Sequence, residues 1–135
     1  MRRLMFPALL AALLPQATAA HVVRHNAMPA VYWGTWAPAA EACRDGDKTA
    51  FVLAAKRYVG PAGSCAIASV SETPTPNGAM YSARMECPGK GAQAKKITVV
   101  NLIIRSDKDD QISVGPSFEN LTAHRRCSAG GEGAK

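Results

Sequence analysis

Between Tyr81 and Cys87 apolar and polar residues alternate strictly, with Tyr81, Ala83, Met85 and Cys87 on one face and Ser82, Arg84 and Glu86 on the other. A period of two is that of a β-strand with one wet face, and it turns Cys87 toward the core. Ile97 to Ile104 is instead apolar on both faces and rich in β-branched residues, the pattern of a central, covered strand. Ser64 to Glu72 reads as a strand. So does Ala50 to Tyr58, because Phe51, Val52 and Leu53 suit a strand and Gly60-Pro61-Ala62-Gly63 turns the chain at once. Gln111 to Val114 and Phe118 to Cys127, parted by Gly115-Pro116, supply the last two.

The connections carry turn chemistry. Thr73 to Gly78 holds two prolines and an Asn-Gly pair between strand-like runs, which predicts a hairpin. Pro88-Gly89-Lys90-Gly91, Ser106 to Asp110, and Arg44-Asp45-Gly46-Asp47 are polar turns. Pro38 followed by Ala39-Ala40-Glu41-Ala42 predicts one short helix that delivers Cys43. About six strands and one short N-terminal helix make a mainly β fold, a small antiparallel meander barrel or a compact sandwich.

The ends differ from this pattern. Arg2 and Arg3, the apolar run Leu4 to Leu14 and Ala17-Thr18-Ala19 have the form of a secretory signal peptide over residues 1–20. The apolar run is too short for a membrane span of roughly 20 residues, so the chain is not expected to be membrane-spanning. Residues 21–30 show no periodicity and read as a flexible arm, 31–127 as a single β domain, and 128–135 as a Gly/Ala-rich disordered tail.

Export changes the meaning of the cysteines. Cys43, Cys65, Cys87 and Cys127 all follow the leader, and in an oxidising compartment they should form two disulfides. No C-x-x-C spacing is present, so a structural zinc site is disfavoured. Four cysteines permit three pairings. In an up-and-down meander Cys65 and Cys87 lie equidistant from a hairpin centre near residue 76, while Cys43 and Cys127 fall at the same end, which favours Cys65–Cys87 with Cys43–Cys127.

Gly34-Thr35-Trp36, Cys43 before a charged turn, Lys56-Arg57-Tyr58, Cys65 inside a strand, Tyr81-Ser82 with Cys87, Val114-Gly115-Pro116-Ser117-Phe118 and a terminal Arg126-Cys127 form one series. In it the chain resembles uncharacterised short cysteine-containing exported proteins of alphaproteobacteria. The resemblance covers most of Trp33 to Cys127; it implies a bacterial periplasmic or secreted β protein and brings no activity with it.

Candidate chemistry is sparse. The histidines are His21 and His25 on the arm and His124, which alternates with Ala123 and Arg125 and is expected at the surface. No P-loop or G-x-S-x-G elbow occurs, and the Asp45/Asp47 and Asp107/Asp109/Asp110 groups lack the pattern of a calcium loop. No catalytic residue, cofactor or metal is therefore expected. A leader ending at Ala20 would give His21 a free amine beside its imidazole, a Cu(II) chelate with His25 in reach, but a plain leader arm is the simpler expectation.

Two groups remain as binding candidates. Tyr32, Trp33 and Trp36 form the most aromatic stretch and serve either as an interface or as core. Lys95 and Lys96 belong to a basic set on a chain of net charge +6, which outside the cytoplasm would meet an envelope protein or an anionic envelope component rather than nucleic acid. The expected function is an exported non-enzymatic binding module of unassigned partner. The alternative is an exported enzyme inhibitor, similar to a bacterial lysozyme inhibitor, that acts through a rigid loop at Thr73 to Ala79.

Overall fold

The structure, a computed structural model, describes residues 15, 21–44, 49–61, 63–108 and 110–127. The leader expected over 1–20 (apart from Pro15), the turn residues Asp45-Gly46-Asp47 and the tail 128–135 lie outside the described residues.

The described residues form nine strands: β1 Val23–His25, β2 Gly34–Ala37, β3 Phe51–Leu53, β4 Arg57–Gly60, β5 Gly63–Thr75, β6 Gly78–Pro88, β7 Ile97–Ser106, β8 Gln111–Gly115 and β9 Thr122–Arg126. From β2 to β9 each strand pairs antiparallel with the next, and β9 returns to pair with β2. The result is a closed eight-stranded up-and-down barrel. Closure removes the edges that a sandwich would leave, so of the two expected architectures the meander barrel is the one that forms.

The strand count exceeds the expected six for two local reasons. Ala50 to Tyr58 is not one strand but two, because Ala54 N–H bonds Arg57 C=O at 2.9 Å and folds the run into the β3–β4 hairpin. The aromatic segment also contributes β2, which pairs Gly34 to Trp36 with Leu53 to Phe51. The helix expected before Cys43 is a 3-10 turn, Ala40–Cys43. A run this short cannot repay α-helix nucleation, whatever the propensity of its alanines.

The segment expected as a loose arm is also ordered. β1 pairs Val23 to His25 with Glu72 to Val70 on β5, and Met28, whose N–H bonds Ala55 C=O at 2.7 Å, is buried in the core. One anchoring side chain and a three-residue strand leave no periodic trace in sequence. Inside the barrel, inward residues of β2, β3, β5, β6, β7 and β8 pack together: Trp36, Leu53, Ile67, Val70, Met85, Ile104 and Ile112.

Two devices fix the register. The tight turn sets Thr75 opposite Gly78, a pairing that alone would bring Cys65 against Pro88. A bulge between Ile67 and Ser69 adds one residue to β5 and shifts the register so that Ala66 faces Glu86 and Cys65 faces Cys87. Cys65–Cys87 is accordingly a disulfide across β5 and β6, with Cα atoms 4.3 Å apart. The second, Cys43–Cys127, joins the end of the 3-10 turn to the end of β9, so the observed pairing is the one that the meander favours.

That second bridge sits at the barrel's closing seam, where β2 and β9 share only the pairs Trp36/Arg126 and Ala37/Arg125. Arg126 stacks its guanidinium 4.3 Å over the Trp36 ring and donates to the carbonyls of Trp33 and Val31, each at 2.6 Å. The Trp36 indole N–H donates to Tyr32 C=O at 2.9 Å. A short ladder is thus reinforced by a cation–π contact, charge-assisted hydrogen bonds and a disulfide.

Candidate functional site

β7 is not the covered strand that its composition predicts. Residues 97–101 are exposed, with Ile97 at 54% and Val99 at 46%, and only Leu102, Ile103 and Ile104 are buried. The cause is register: β8 pairs with β7 only from Ile103 to Ser106. Beyond Gly115 the chain leaves β7 at Pro116, and Gly115 is required because a Cβ there would lie 1.8 Å from Asn120 O.

The divergence of β7 and β8 opens the barrel into an apolar cup of about 320 Å³. Its walls come from Phe51 on β3, Tyr58 on β4, Cys65 and Met85 with Cys87 on β5 and β6, Val100 and Leu102 on β7, Val114 on β8 and His124 on β9. Phe51 stacks on Tyr58 with ring centroids 5.5 Å apart and meets His124 edge-on at 5.1 Å, so three rings form one side. Gly60 makes room for this wall, since a Cβ there would stand 2.2 Å from the Tyr58 hydroxyl oxygen.

Polar groups in the cup are few. The His124 Nδ1 lies 2.9 Å from Thr122 C=O, an oxygen that can only accept, so Nδ1 is the donor in that contact. His124 is half-buried rather than at the surface as expected, because its position opposite Ile112 belongs to the inward face of β9. Burial raises the pKa of the Tyr58 phenol above its ordinary 10.0, which keeps that hydroxyl neutral. Chemically the cup suits desolvation of an aromatic or short acyl group with a single polar atom at the rim.

At the other end of the barrel lies a polar cluster. Tyr81 donates to Glu72 Oε1 at 2.7 Å, Glu72 Oε2 stands 3.7 Å from His25 Nε2, and the Tyr32 and Ser106 hydroxyls are 2.6 Å apart. Burial first, then the hydrogen bond to Glu72, hold the Tyr81 pKa far above its ordinary value. Its proton stays on the phenol and the cluster ties β1 to β5 and β6. These two tyrosines predict alkaline behaviour. Both phenols ionise more readily in the unfolded chain, so the stability they confer is complete below pH 10.0 and falls as the pH rises past it. Absorbance at 295 nm should show native phenolate from Tyr58 and Tyr81 appearing only above the ordinary range, and Tyr58→Phe should flatten the alkaline stability loss. Titration of both at the ordinary value would contradict this.

The binding candidates read from the sequence separate. Tyr32 and Trp36 are core, whereas Trp33 is 45% exposed with its indole N–H donating to Met28 C=O at 2.7 Å. Lys95 and Lys96 are exposed immediately before β7, close in sequence to Val100 on the cup's rim. Cys65 and Cys87 serve structure and line the cup at once. The cup itself had no linear signal, since its walls come from seven strands. Among the described residues no group of three or more His, Cys, Asp or Glu is placed to hold a metal, and no helix is long and apolar enough to cross a membrane. No protein-family model, curated protein or solved structure matches the chain.

Proposed function

We propose that this chain is an exported, non-enzymatic binding module of the bacterial periplasm or extracellular space, and that its cup receives an apolar group of the molecule it binds. The observation that carries the reading is the open, ring-walled cavity in an otherwise closed barrel. Eight-stranded barrels have an interior just wide enough for side chains or one small ligand. Here the side chains stop short at one end. Two disulfides suit the oxidising compartment that the form of residues 1–20 leads one to expect. The exposed Lys95 and Lys96, which precede the strand that carries Val100 and Leu102, favour an envelope protein or an anionic envelope component as the partner.

Indole is a suitable test compound, being planar, apolar and equipped with one polar atom. Calorimetric titration of the oxidised protein should give a dissociation constant of about 1 mM or tighter, as expected for so few atoms. Val100→Phe places a ring in the mouth of the cup at a half-exposed position, and it should weaken binding about tenfold or more, worth about 1.4 kcal/mol, without lowering the melting temperature. Absence of binding, or binding indifferent to Val100→Phe, would sink the reading.

One observation favours the inhibitor as a second reading. The loop Thr73 to Ala79 is a tight hairpin tip, with Pro76 and Asn77 alone outside the ladder and Thr75 Oγ1 bonded to Gly78 C=O. A stoichiometric complex with lysozyme that is lost when Pro76 and Asn77 are replaced would support it over the cup.

A further inference from the structure

The edge of β7 from Ile97 to Leu102 is paired with β6 on one side only, since β8 joins β7 at Ile103. Its sequence, Ile97-Thr98-Val99-Val100-Asn101-Leu102, has high β propensity and none of the charges, prolines or bulges by which exposed edges are ordinarily blunted. The hairpin that carries it is basic. Between residues 84 and 105 stand Arg84, Lys90, Lys95, Lys96 and Arg105 against the single acid Glu86. Arg105 is paired with Asp107, which leaves the excess of positive charge at the Lys95-Lys96 end.

We propose that this edge takes up an extended peptide strand of another protein, antiparallel to β7, apolar at alternate positions and acidic toward its C-terminal end. Main-chain hydrogen bonds of an added strand give affinity without demanding a particular sequence, and alternate side chains would lie over Ile97 and Val99. Antiparallel addition follows the rule of every other pairing in this sheet and sets the peptide's C-terminal end beside Lys95 and Lys96. A second copy of the chain is the poorer occupant, because it would bring two basic hairpins together. The proposal concerns the outer edge of the barrel and goes beyond the cup.

The test uses the oxidised full chain and the synthetic peptide Ser-Thr-Val-Thr-Val-Thr-Val-Asp-Glu, followed by amide exchange and chemical shifts. Amides of 97–102 that point away from β6 should exchange at least tenfold more slowly with peptide bound. Two isomers of the peptide, N-methylated on odd or on even residues, should differ, one binding and the other not, because only one edge of an added strand meets β7. Lys95→Glu with Lys96→Glu should reverse a preference of about tenfold for the acidic-ended peptide over a Lys-Arg-ended control. Equal binding by both N-methyl isomers would overturn the proposal. So would free exchange at 97–102 with millimolar peptide, or a peptide-free dimer in which these amides are already protected. Indole in the cup with no peptide at the edge would end this proposal and leave the cavity reading standing.

Discussion

Replacing Cys43 and Cys127 together by serine should lower the unfolding free energy by about 4 to 5 kcal/mol, the chain-entropy value for a bridge that closes so long a loop. The two cysteines are 84 residues apart, and the bond spans the seam at which β9 returns to β2. That seam has only two residue pairs, as few as any ladder of the barrel, so the unfolded chain gains freedom while the folded barrel loses the clasp on one of its shortest ladders. The shorter Cys65–Cys87 bridge, 22 residues, contributes about 3 kcal/mol on the same scale. Together these approach the whole stability of a domain this small, roughly 5–15 kcal/mol, and full reduction should unfold it. Urea denaturation of the double serine variant measures the first effect directly. A midpoint within error of the parent would show that the seam holds without its bridge.

Trp36→Ala should cost about 3–5 kcal/mol, the range for truncating a large buried aromatic. Trp36 is 1% exposed and is the largest of the fully buried side chains. Its removal leaves a cavity at the seam, deprives Tyr32 C=O of the indole donor and takes away the face on which Arg126 lies. Trp33→Ala, three residues earlier at the surface, should cost well below that, its one internal tie being the bond to Met28 C=O. Thermal melts of the two variants compare neighbours of identical chemistry and opposite burial. Equal losses would contradict the assignment of Trp36 to the core.

The strand from Tyr81 to Cys87 and the hairpin before it were legible because period-two alternation and an Asn-Gly turn are local signals. Cysteine pairing followed from them, although the bulge that seats Cys65 opposite Cys87 has no sequence mark beyond the run Ala66-Ile67-Ala68-Ser69. Where tertiary context decides, the sequence misleads. Ile97 to Ile104 has the composition of a covered strand, yet its first half is uncovered because β8 leaves the sheet at Gly115-Pro116. His124 looks like a surface residue in its local pattern but faces inward through its pairing with Ile112. The arm held by Met28 and the three-ring wall of the cup depend on contacts between distant segments, which periodicity does not encode.

The central claim is that the open end of the barrel is a receptor for an apolar group. Isotope-filtered nuclear Overhauser spectroscopy of the oxidised protein with bound indole tests it most directly. Cross-peaks from indole ring protons to the methyls of Leu102, Val114 and Met85 and to the Phe51 ring are predicted, since these groups line the cup. Cross-peaks confined to the exposed Val31 and Trp33, or to Phe118 outside the barrel, would contradict it.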